Sequence, residues 1–410
     1  MAYDIIIIGA GIVGLSTAFQ IAKRTNLSIL VLEKSTMLGA GSTGASSAIC
    51  RHRYSQDHMV SLARDGILAY RNWEAFTGIK SPQGEYHQDG VLWINEEGSN
   101  WARNEHARLT RLGIDALVLS DDEMKTRFPS VSTCLKTPDL KTGVLHACVP
   151  SEGFLFETEG GYFDPMGALN DLLFAATREG VEIRFNSPVE KVITHSERAT
   201  GVEIESGKKI NSSLVINVNG PWCNQILEPL GLSDIWPLMP TRIQVIHIDR
   251  PNELIGKIPV CCDAVSGVYF REQSRGQQII IGSAREEDER ETVDPSNYEG
   301  WVDEDFEASR LHGFAHRFPE LPASLKVSSY TGLYTVNQKD VHPVVGKTEL
   351  HGFYVANGFS GHGFKIAPAI GSLLAREITG TKSDFDTEVK SDFLAFDRQP
   401  LLVDEKSVLA

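Results

Sequence analysis

Residues 3–34 read YDIIIIGAGIVGLSTAFQIAKRTNLSILVLEK, and this opening stretch decides the fold. Ile5 to Ile8 are four consecutive β-branched residues, which is the composition of a parallel strand buried on both faces. A second strand over residues 28–32 ends at Glu33, where an acidic side chain can hydrogen-bond a ribose hydroxyl. The stretch therefore predicts a strand, a glycine turn, a helix and a second strand, in that order.

Three glycines between the two strands indicate what this unit binds. Gly9, Gly11 and Gly14 give the pattern G-x-G-x-x-G. The first permits a tight turn, the second lets the backbone approach a pyrophosphate, and the third lets the helix pack close to the sheet. Because the strand, the helix and the acid have the expected spacing, we predict a dinucleotide site. The alternative is a glycine turn that only packs a βαβ unit.

The overall composition limits the partners and the compartment. The 410-residue chain carries 39 basic and 54 acidic residues, a formal charge of −15, which argues against nucleic-acid and anionic-membrane partners. No apolar run approaches the ~20 residues that span a bilayer, and the N-terminus does not resemble a signal peptide. The six cysteines fit no metal-ligand spacing and are too sparse for a disulfide framework. We expect a cytoplasmic protein with reduced cysteines and no metal site.

Small residues and two arginines follow the first βαβ unit. Residues 39–47 are glycine, alanine, serine and threonine only, so we interpret this segment as a loop pressed against a ligand; the alternative is a flexible linker. Arg51 and Arg53 come next and offer planar guanidinium groups that can clamp a carboxylate or a phosphate. Surface charge is the alternative interpretation of both arginines.

Two later segments also bring backbone to the start of a helix. A buried strand over residues 213–218 runs into Asn219 and Gly220 before a new helix, which is a second place where backbone can meet the dinucleotide. Towards the end of the chain, a strand opens into a glycine-rich loop over residues 357–365, followed by a helix whose N-terminus favours an anion. Lys365 is electrostatically unfavourable at such a helix start, and we expect it to meet an anion.

These motifs, in this order, resemble those of the flavoprotein family of D-amino-acid oxidase and sarcosine oxidase type. The resemblance rests on the opening G-A-G-I-V-G with Glu33, the small-residue loop, E-G-G-Y-F-D-P, V-I-N-V-N-G-P-W and the closing G-F-S-G-H-G-F-K. The closing motif is similar to the stretch that borders the flavin ring in the sarcosine oxidase and dimethylglycine dehydrogenase branch. The resemblance covers nearly the whole chain and implies FAD in preference to NAD.

The fold implied by the resemblance is α/β, with an α+β second domain. A Rossmann-like FAD-binding domain is expected to be discontinuous, assembled from residues 1–84, 146–228 and 326–395. A substrate domain, built on a large antiparallel sheet that covers the flavin ring, is expected over residues 85–145 and 229–325. Residues 396–410 are expected to form a C-terminal tail.

Residue roles are implied by the matched positions of the family motifs. Arg51 and Lys365 line up with the pair that grips the substrate carboxylate in monomeric sarcosine oxidase. Gly332 stands where that enzyme attaches its flavin through a cysteine, so we expect non-covalent FAD, with a histidine link elsewhere left open. We interpret His362 as a structural residue of its loop in preference to a catalytic one. The expected cofactor-binding residues are Gly9, Gly11, Ile12, Val13, Gly14, Glu33, Lys34, Ser42, Thr43, Ser46, Ser47, Val189, Asn219, Gly220, Trp222, Gly332, Gly358, Gly361, His362, Gly363, Phe364 and Lys365.

The resemblance implies oxidation of a small anionic amino acid that is N-methylated, a secondary amine or a D-amino acid, similar to sarcosine, dimethylglycine or proline. A hydride passes from the carbon next to nitrogen to flavin N5, and the imine product hydrolyses in water. Ile280 stands where monomeric sarcosine oxidase has a lysine that promotes reaction with oxygen, which shifts the expected electron acceptor from oxygen towards another carrier. We expect a homo-oligomer or a subunit of a larger dehydrogenase.

Three other functions are compatible with the same motifs. A 2-hydroxy-acid oxidoreductase on this fold can use the same carboxylate clamp. A non-catalytic flavoprotein subunit or assembly factor needs the cofactor site alone. An NAD-dependent dehydrogenase needs only the opening βαβ unit.

Overall fold

A computed structural model describes residues 2–144, 146–322, 324–403 and 406–409 of the chain. Its strands are β1 (Ala2–Ile8), β2 (Ile29–Leu32), β3 (Ile49–Cys50), β4 (Tyr86–His87), β5 (Val91–Ile94), β6 (Ala116–Leu119), β7 (Phe154–Glu157), β8 (Gly161–Phe163), β9 (Glu182–Arg184), β10 (Val189–His195), β11 (Arg198–Ile204), β12 (Lys209–Asn217), β13 (Leu238–Asp249), β14 (Val260–Asp263), β15 (Val268–Gln273), β16 (Gln278–Ser283), β17 (Val327–Asn337), β18 (Val344–Lys347) and β19 (Phe353–Asn357). Its helices are α1 (Ile12–Ala22), α2 (Asp57–Arg71), α3 (Trp73–Thr77), α4 (Ser99–Arg111), α5 (Asp121–Arg127), α6 (Pro165–Arg178), α7 (Cys223–Leu227), α8 (Glu304–Arg317) and α9 (Gly363–Thr379).

The apolar N-terminal strand lies inside the first sheet because both of its edges are paired. β1 is parallel to β2 on one side and to β12 on the other, so that Ile5 lies opposite Ile29 and Leu214. β9 extends the sheet beyond β2, whereas β11 and β10 extend it beyond β12. β19 pairs in parallel with the last residues of β12, and β18 is antiparallel to β19. This arrangement buries β1 from Ile5 onward on both faces.

Helices α1 and α9 cross closely on one face of the first sheet. A Cβ atom on Gly371 would lie 2.6 Å from Gln20 Nε2, so the crossing requires glycine. Gln20 Nε2 also donates to the Pro368 carbonyl at 2.7 Å. The start of α9 is thereby fixed relative to the glycine turn that precedes α1.

The second sheet has the strand order β17-β13-β16-β15-β14-β5-β7-β6 and is antiparallel except between β14 and β5. Helix α8 packs on one face of it, where the rings of Phe270, Phe314 and Phe318 have centres 4.5–5.3 Å apart. Because side chains alternate along a strand, Arg271 leaves β15 on the opposite face from Phe270. There its Nε donates to the Ser47 carbonyl at 2.6 Å, which joins the second sheet to the loop that follows β2.

A cluster of aromatic rings connects the small sheet β3-β8-β4, whose strand β3 ends directly before Arg51, with the start of α9. The small sheet β3-β8-β4 contributes Phe163, whose ring centre lies 4.9 Å from that of Tyr70 and 5.1 Å from that of Trp73. Tyr70 in turn stacks on Phe364 with an interplanar angle of 4°. Aromatic pairs in such geometry add to the stability that burial provides, so these rings hold the two segments together.

The α/β fold class, with a Rossmann-like domain and a second sheet domain, is confirmed. Two predicted domain boundaries differ from sheet membership, because β7 and β17 fall in the segments assigned to the FAD-binding domain but pair within the second sheet. A short apolar strand is recognisable from its pattern, but the pattern does not tell which sheet the strand joins. Among the described residues, no helix is long and apolar enough to cross a bilayer.

Candidate cofactor and substrate site

The glycine turn between β1 and α1 forms one wall of a deep cleft. Gly9 has a φ of 110°, and a Cβ atom there would lie 2.7 Å from the Val218 carbonyl oxygen. A Cβ atom on Gly14 would collide with the Gly9 carbonyl, so this position closes the turn against the helix and does not face the cleft. These two glycines therefore let β1, α1 and the end of β12 meet at one point, as the motif predicts.

Polar groups line the cleft next to this turn. Glu33 accepts hydrogen bonds from the amides of Ala10 and Ser35, both at 2.9 Å. The Thr43 hydroxyl accepts from the Ile12 amide at 3.2 Å at the start of α1. Ser42 Oγ is buried and has no hydrogen-bond partner among the described residues. A buried hydroxyl is normally hydrogen-bonded, so Ser42 has a partner missing on the side of the cleft.

The cleft has about 1030 Å³ of empty space, counted together with the solvent at its mouth. A second cavity of about 1090 Å³ shares the loop of residues 39–42, Ser46, Trp222 and Leu333 with it, so the two cavities are neighbours. Gly332 lines the second cavity. The residues of the sequence prediction that line the first are Gly9, Gly11, Ile12, Val13, Glu33, Lys34, Ser42, Thr43, Ser46, Asn219, Gly220, Trp222, Gly361, Gly363 and Phe364.

Five predicted residues, in addition to Gly14, do not line either cavity. Ser47 meets the second sheet through its carbonyl. Gly358 packs against Leu238, since a Cβ atom there would lie 2.7 Å from that side chain. Val189 lies at the start of β10 opposite Ile204, outside both cavity linings. His362 and Lys365 lie behind the loop and the first turn of α9, on the side of Arg51.

The glycine loop before α9 closes the other end of the cleft. Ser360 is held from both sides, because its amide donates to the Thr335 carbonyl at 2.9 Å and its hydroxyl accepts from the Asn337 amide at 3.0 Å. Gly361 has a φ of 82°, and a Cβ atom there would lie 2.7 Å from the Tyr334 ring. Helix α9 begins at Gly363, earlier than predicted, so its first amides face the cleft with the partial positive charge of a helix N-terminus.

These observations fit an extended dinucleotide such as FAD. The start of α1 presents amides to one end of the cleft, and the start of α9 presents amides to the other. Ser42, whose hydroxyl has no partner among the described residues, also lines the cleft. The conformation that Gly9 and Gly361 adopt favours glycine, and each lets backbone approach the cleft closely. The residues that line the cleft come from segments spread between β1 and α9. A smaller nucleotide would need only the opening βαβ unit.

Arg51 and Lys365 are brought together, and both are buried. Their side chains lie over the same Tyr54 ring, at 4.2 Å for the Arg51 guanidinium carbon and 6.0 Å for Lys365 Nζ. Burial, and next to it the charge of Arg51, lowers the pKa of Lys365 to about 7. Among the described residues neither side chain forms an ion pair with a carboxylate. A guanidinium and a protonated amine that are both buried, with no carboxylate paired to either among the described residues, are costly, so this arrangement is suited to receive an anion.

Two further polar side chains beside this pair have no hydrogen-bond partner within the described ranges. They are the Tyr54 hydroxyl and both ring nitrogens of His362, whose rings meet edge to face with centres 5.1 Å apart. Burial lowers the pKa of His362 well below its usual value, so the imidazole is neutral. Burial raises the pKa of Tyr54, so the phenol keeps its proton. Whether His362 is structural, as the sequence suggested, or catalytic stays a prediction.

The buried carboxylate of Glu157 fixes the segment that carries Arg51. It accepts from the backbone amides of His52 and Arg53 at 2.6 and 2.9 Å, and from Trp93 Nε1 at 2.7 Å. Although burial opposes ionisation, the hydrogen bonds from His52 hold the pKa of Glu157 below its usual range. Glu157 therefore acts as a positioning residue, since it accepts from the two consecutive backbone amides that follow Arg51.

The C-terminal tail reaches the same place. The Arg51 guanidinium donates to the carbonyls of Arg53 and Val408, and Arg53 Nη1 donates to the Leu409 carbonyl at 2.7 Å. Val408 and Leu409 are buried, and a Cβ atom on Gly361 would lie 2.9 Å from the Val408 side chain. The tail thus covers the Arg51 side of the site with backbone carbonyls.

The sequence did not single out Arg271, Tyr334 or the tail. Arg271 lines the second cavity over the Tyr162 ring, with 4.4 Å between the guanidinium carbon and the ring centre. Burial lowers its pKa. The alternation of apolar and polar residues in V-Y-F-R-E-Q indicates that Tyr269 and Arg271 share a face, which could have suggested a role. Tyr334 and the tail carry no such signal.

Comparison with known proteins places the chain among flavoenzymes. A family model described as "DAO: FAD dependent oxidoreductase" matches residues 4–377. The FAD-dependent oxidoreductase domain-containing protein 1 of Xenopus laevis is 28% identical to this chain over 412 residues, covering 92% of this chain and 79% of that protein. Peroxisomal sarcosine oxidase of Homo sapiens is 25% identical over 385 residues, covering 91% of each chain. The solved L-proline dehydrogenase of P. horikoshii has a TM-score of 0.79 at 23% identity, covering 94% of this chain and 96% of that one, which shows a shared fold.

Proposed function

This chain belongs to the FAD dependent oxidoreductase (DAO) family, and from that premise we propose that it oxidises the C–N bond of a small amino acid carrying a secondary or tertiary amine. FAD as cofactor and an amino-acid or amine oxidoreductase activity follow from the family and from the relatives. Sarcosine, dimethylglycine and proline are the substrates we favour, with D-amino acids as a further group. The observation that carries the proposal is the pair of buried cations, Arg51 and Lys365, which lack a carboxylate partner among the described residues.

The proposed substrate is held by its carboxylate. The planar Arg51 guanidinium offers paired donors to a carboxylate, and protonated Lys365 supplies a second charge. Tyr54, buried below both cations, keeps water away and strengthens their attraction for an anion. Holding the carboxylate fixes the orientation of the neighbouring carbon, and such positioning supplies much of the rate.

Bound FAD would accept a hydride from the carbon next to the substrate nitrogen. The amides at the start of α9 would place partial positive charge beside the ring, and Gly361 and Gly363 would let the backbone approach it. Neutral His362 and the Tyr54 phenol are free to hydrogen-bond the substrate. No carboxylate base is assigned, because Glu157 already accepts four hydrogen bonds, two from His52 and one each from Arg53 and Trp93.

We propose that the flavin is bound without a covalent link at residue 332 and that the electron acceptor is a carrier other than oxygen. A Cβ atom on Gly332 would lie 2.8 Å from the Ala45 Cβ, which leaves no room for a cysteine side chain in this conformation. Ile280 is buried opposite Arg271 on the neighbouring strand, so an apolar side chain occupies the position of the oxygen-promoting lysine. The free cysteines favour a reducing compartment such as the cytoplasm, and a homo-oligomer or a larger complex is part of the same proposal.

A 2-hydroxy-acid oxidoreductase is the second candidate. Arg51 and Lys365 can recognise only the carboxylate of a substrate. The observation that favours this candidate is that the Tyr54 hydroxyl and the His362 ring nitrogens, which have no partner among the described residues, can bond a substrate hydroxyl as well as a neutral amine.

The test is anaerobic titration of the purified flavoprotein with sarcosine, dimethylglycine, proline and 2-hydroxyglutarate, followed by addition of an artificial acceptor or oxygen. We expect bleaching of the flavin absorption by an amino acid and reoxidation by the artificial acceptor. Lys365→Met should raise the substrate concentration needed for bleaching, whereas Lys208→Met, at an exposed lysine of the β11–β12 turn, should not. Reduction by the hydroxy acid alone would refute the amine proposal, and a lack of bleaching by a broad panel would favour a non-catalytic flavoprotein.

A further inference from the structure

A compact group of metal-ligating side chains lies in the second domain, away from the cofactor cleft. Cys134, His146 and Cys148 come from the segment between α5 and β7, and His316 comes from α8. One ligand atom from each of the four lies within 4.8 Å of the others, and Cys134 Sγ is 3.3 Å from His146 Nε2. Two thiols and two imidazoles at this separation are the donor set of a tetrahedral S₂N₂ metal site.

His316 gives an independent sign that a ligand is missing from this group. Its side chain is 3% exposed, and its Nε2 is buried without a hydrogen-bond partner among the described residues. The other ring nitrogen, Nδ1, lies 2.9 Å from Ser266 Oγ. With the proton on Nδ1 donated to Ser266, the Nε2 lone pair is left available to a metal ion, the arrangement that orients a metal-binding histidine.

The charge balance also suits a divalent cation. Two cysteine thiolates would neutralise it, with their two protons released to solvent. The adjacent Arg317 does not oppose this, because its Nε is paired with the buried Asp263 carboxylate at 2.8 Å. Arg317 Nη1 also donates to the carbonyls of Ser132 and Cys134, at 2.7 and 2.8 Å, and so holds the loop that presents the first ligand.

We propose that Cys134, His146, Cys148 and His316 bind one Zn²⁺ ion as a structural site. Four protein ligands complete a tetrahedron and leave no open position for substrate, as in closed structural zinc sites. The ion would tie the long segment over residues 128–153, whose described residues form no helix or strand, to α8. Long segments without secondary structure are uncommon in compact domains unless they are functional or fastened. The proposal revises the sequence expectation of no metal site, and it is independent of the substrate.

The experiment measures metal in the intact flavoprotein after purification without chelators, by elemental analysis per mole of FAD-loaded chain. We expect about one zinc per chain, with most of it lost in Cys134→Ser and His316→Gln. Cys223→Ala, a buried cysteine in α7 of the other domain, should leave the zinc content unchanged. Ser266→Ala keeps all four ligands and should weaken zinc affinity by about 10- to 100-fold, measured by competition with a chromogenic chelator.

Two further measurements decide the outcome where a variant fails to fold. Co²⁺ substituted for zinc in the wild-type chain should give the intense thiolate-to-cobalt absorption of a site with cysteine ligands. Chelation of the wild type should increase proteolytic cleavage within residues 128–153. The proposal is overturned if mass spectrometry of the isolated protein finds a Cys134–Cys148 disulfide. It is equally overturned if zinc is absent and both thiols are free.

Discussion

The proposed carboxylate site of Arg51 and Lys365 predicts that ligand binding depends on pH in a specific way. Burial lowers the pKa of Lys365 from 10.5 to about 7, so its charge is lost in the free protein as the pH rises through neutrality. A carboxylate binds the protonated form, because an anion favours the charged state of the lysine. Arginine guanidinium groups in general stay charged over this range. We therefore expect the dissociation constant of a simple carboxylate to be constant below about pH 7 and to rise about tenfold per pH unit above it.

The magnitude follows from the protonated fraction. At about pH 9, two units above the pKa, about one Lys365 in a hundred is protonated, so binding should be about 100-fold weaker than at about pH 6. The rise ends where the arginine alone determines the affinity. Lys365→Met should bind with this weaker affinity at every pH, so its curve is flat and meets that of the wild type on the alkaline side.

The measurement uses a carboxylate without an amine, such as acetate or propionate, so that only groups of the protein titrate. Binding is followed by the shift of the visible absorption of the bound flavin. Lys208→Met serves as the control for removal of an exposed lysine and should keep the slope of the wild type. A wild-type dissociation constant that does not change with pH, or a Lys365→Met variant that retains the slope, would refute the reasoning.

Three further predictions address the tail, the cofactor and the Arg51 segment. Ending the chain at Val403 removes the carbonyls of Val408 and Leu409, which accept hydrogen bonds from Arg51 and Arg53. The freed donors should tighten acetate binding by about fivefold to tenfold in the same titration. Weaker binding would mean that the tail completes the site. Glu33→Ala leaves the Ala10 and Ser35 amides without their acceptor and should raise the FAD dissociation constant about tenfold or more, measured by flavin fluorescence. The control is Glu190→Ala, at an exposed glutamate. Equal FAD affinity in the two variants would contradict the role of Glu33. Glu157→Gln should destabilise the protein by about 3 to 5 kcal/mol in urea unfolding near neutral pH. Because the folded-state pKa of Glu157 is depressed, the stability that its carboxylate contributes is lost as the pH falls through that pKa. The difference in unfolding free energy between variant and wild type should therefore shrink in acid. A difference that does not change with pH would contradict this account.

The parts of the site that local sequence encodes were predictable. Gly9, Gly11 and Glu33 act within one βαβ unit, where spacing along the chain determines spacing in space. Arg51 and Lys365 were identified through the family motifs, but the sequence carried no sign that both would be buried over one tyrosine without a carboxylate partner among the described residues.

The remaining features depend on distant pairing. Arg271 meets Ser47 because β15 faces the first sheet, which no local pattern specifies. The four residues proposed to bind zinc were not predicted from the sequence, because Cys148 and His316 are 168 residues apart and no short motif contains them all. The approach of the tail to Arg51 likewise joins positions from the two ends of the chain.

The pairing of β1 with β12 has a consequence for how the chain folds. Ile5 lies opposite Leu214, 209 residues later, whereas its other neighbour, Ile29, is close in sequence. Contacts of such high sequence separation slow folding, and unpaired strand edges promote aggregation while they persist. During synthesis β1, with its four consecutive isoleucines, therefore has one edge unpaired until more than half of the chain has left the ribosome. We expect the yield of folded protein to depend on chaperones that shield the unpaired edge of β1.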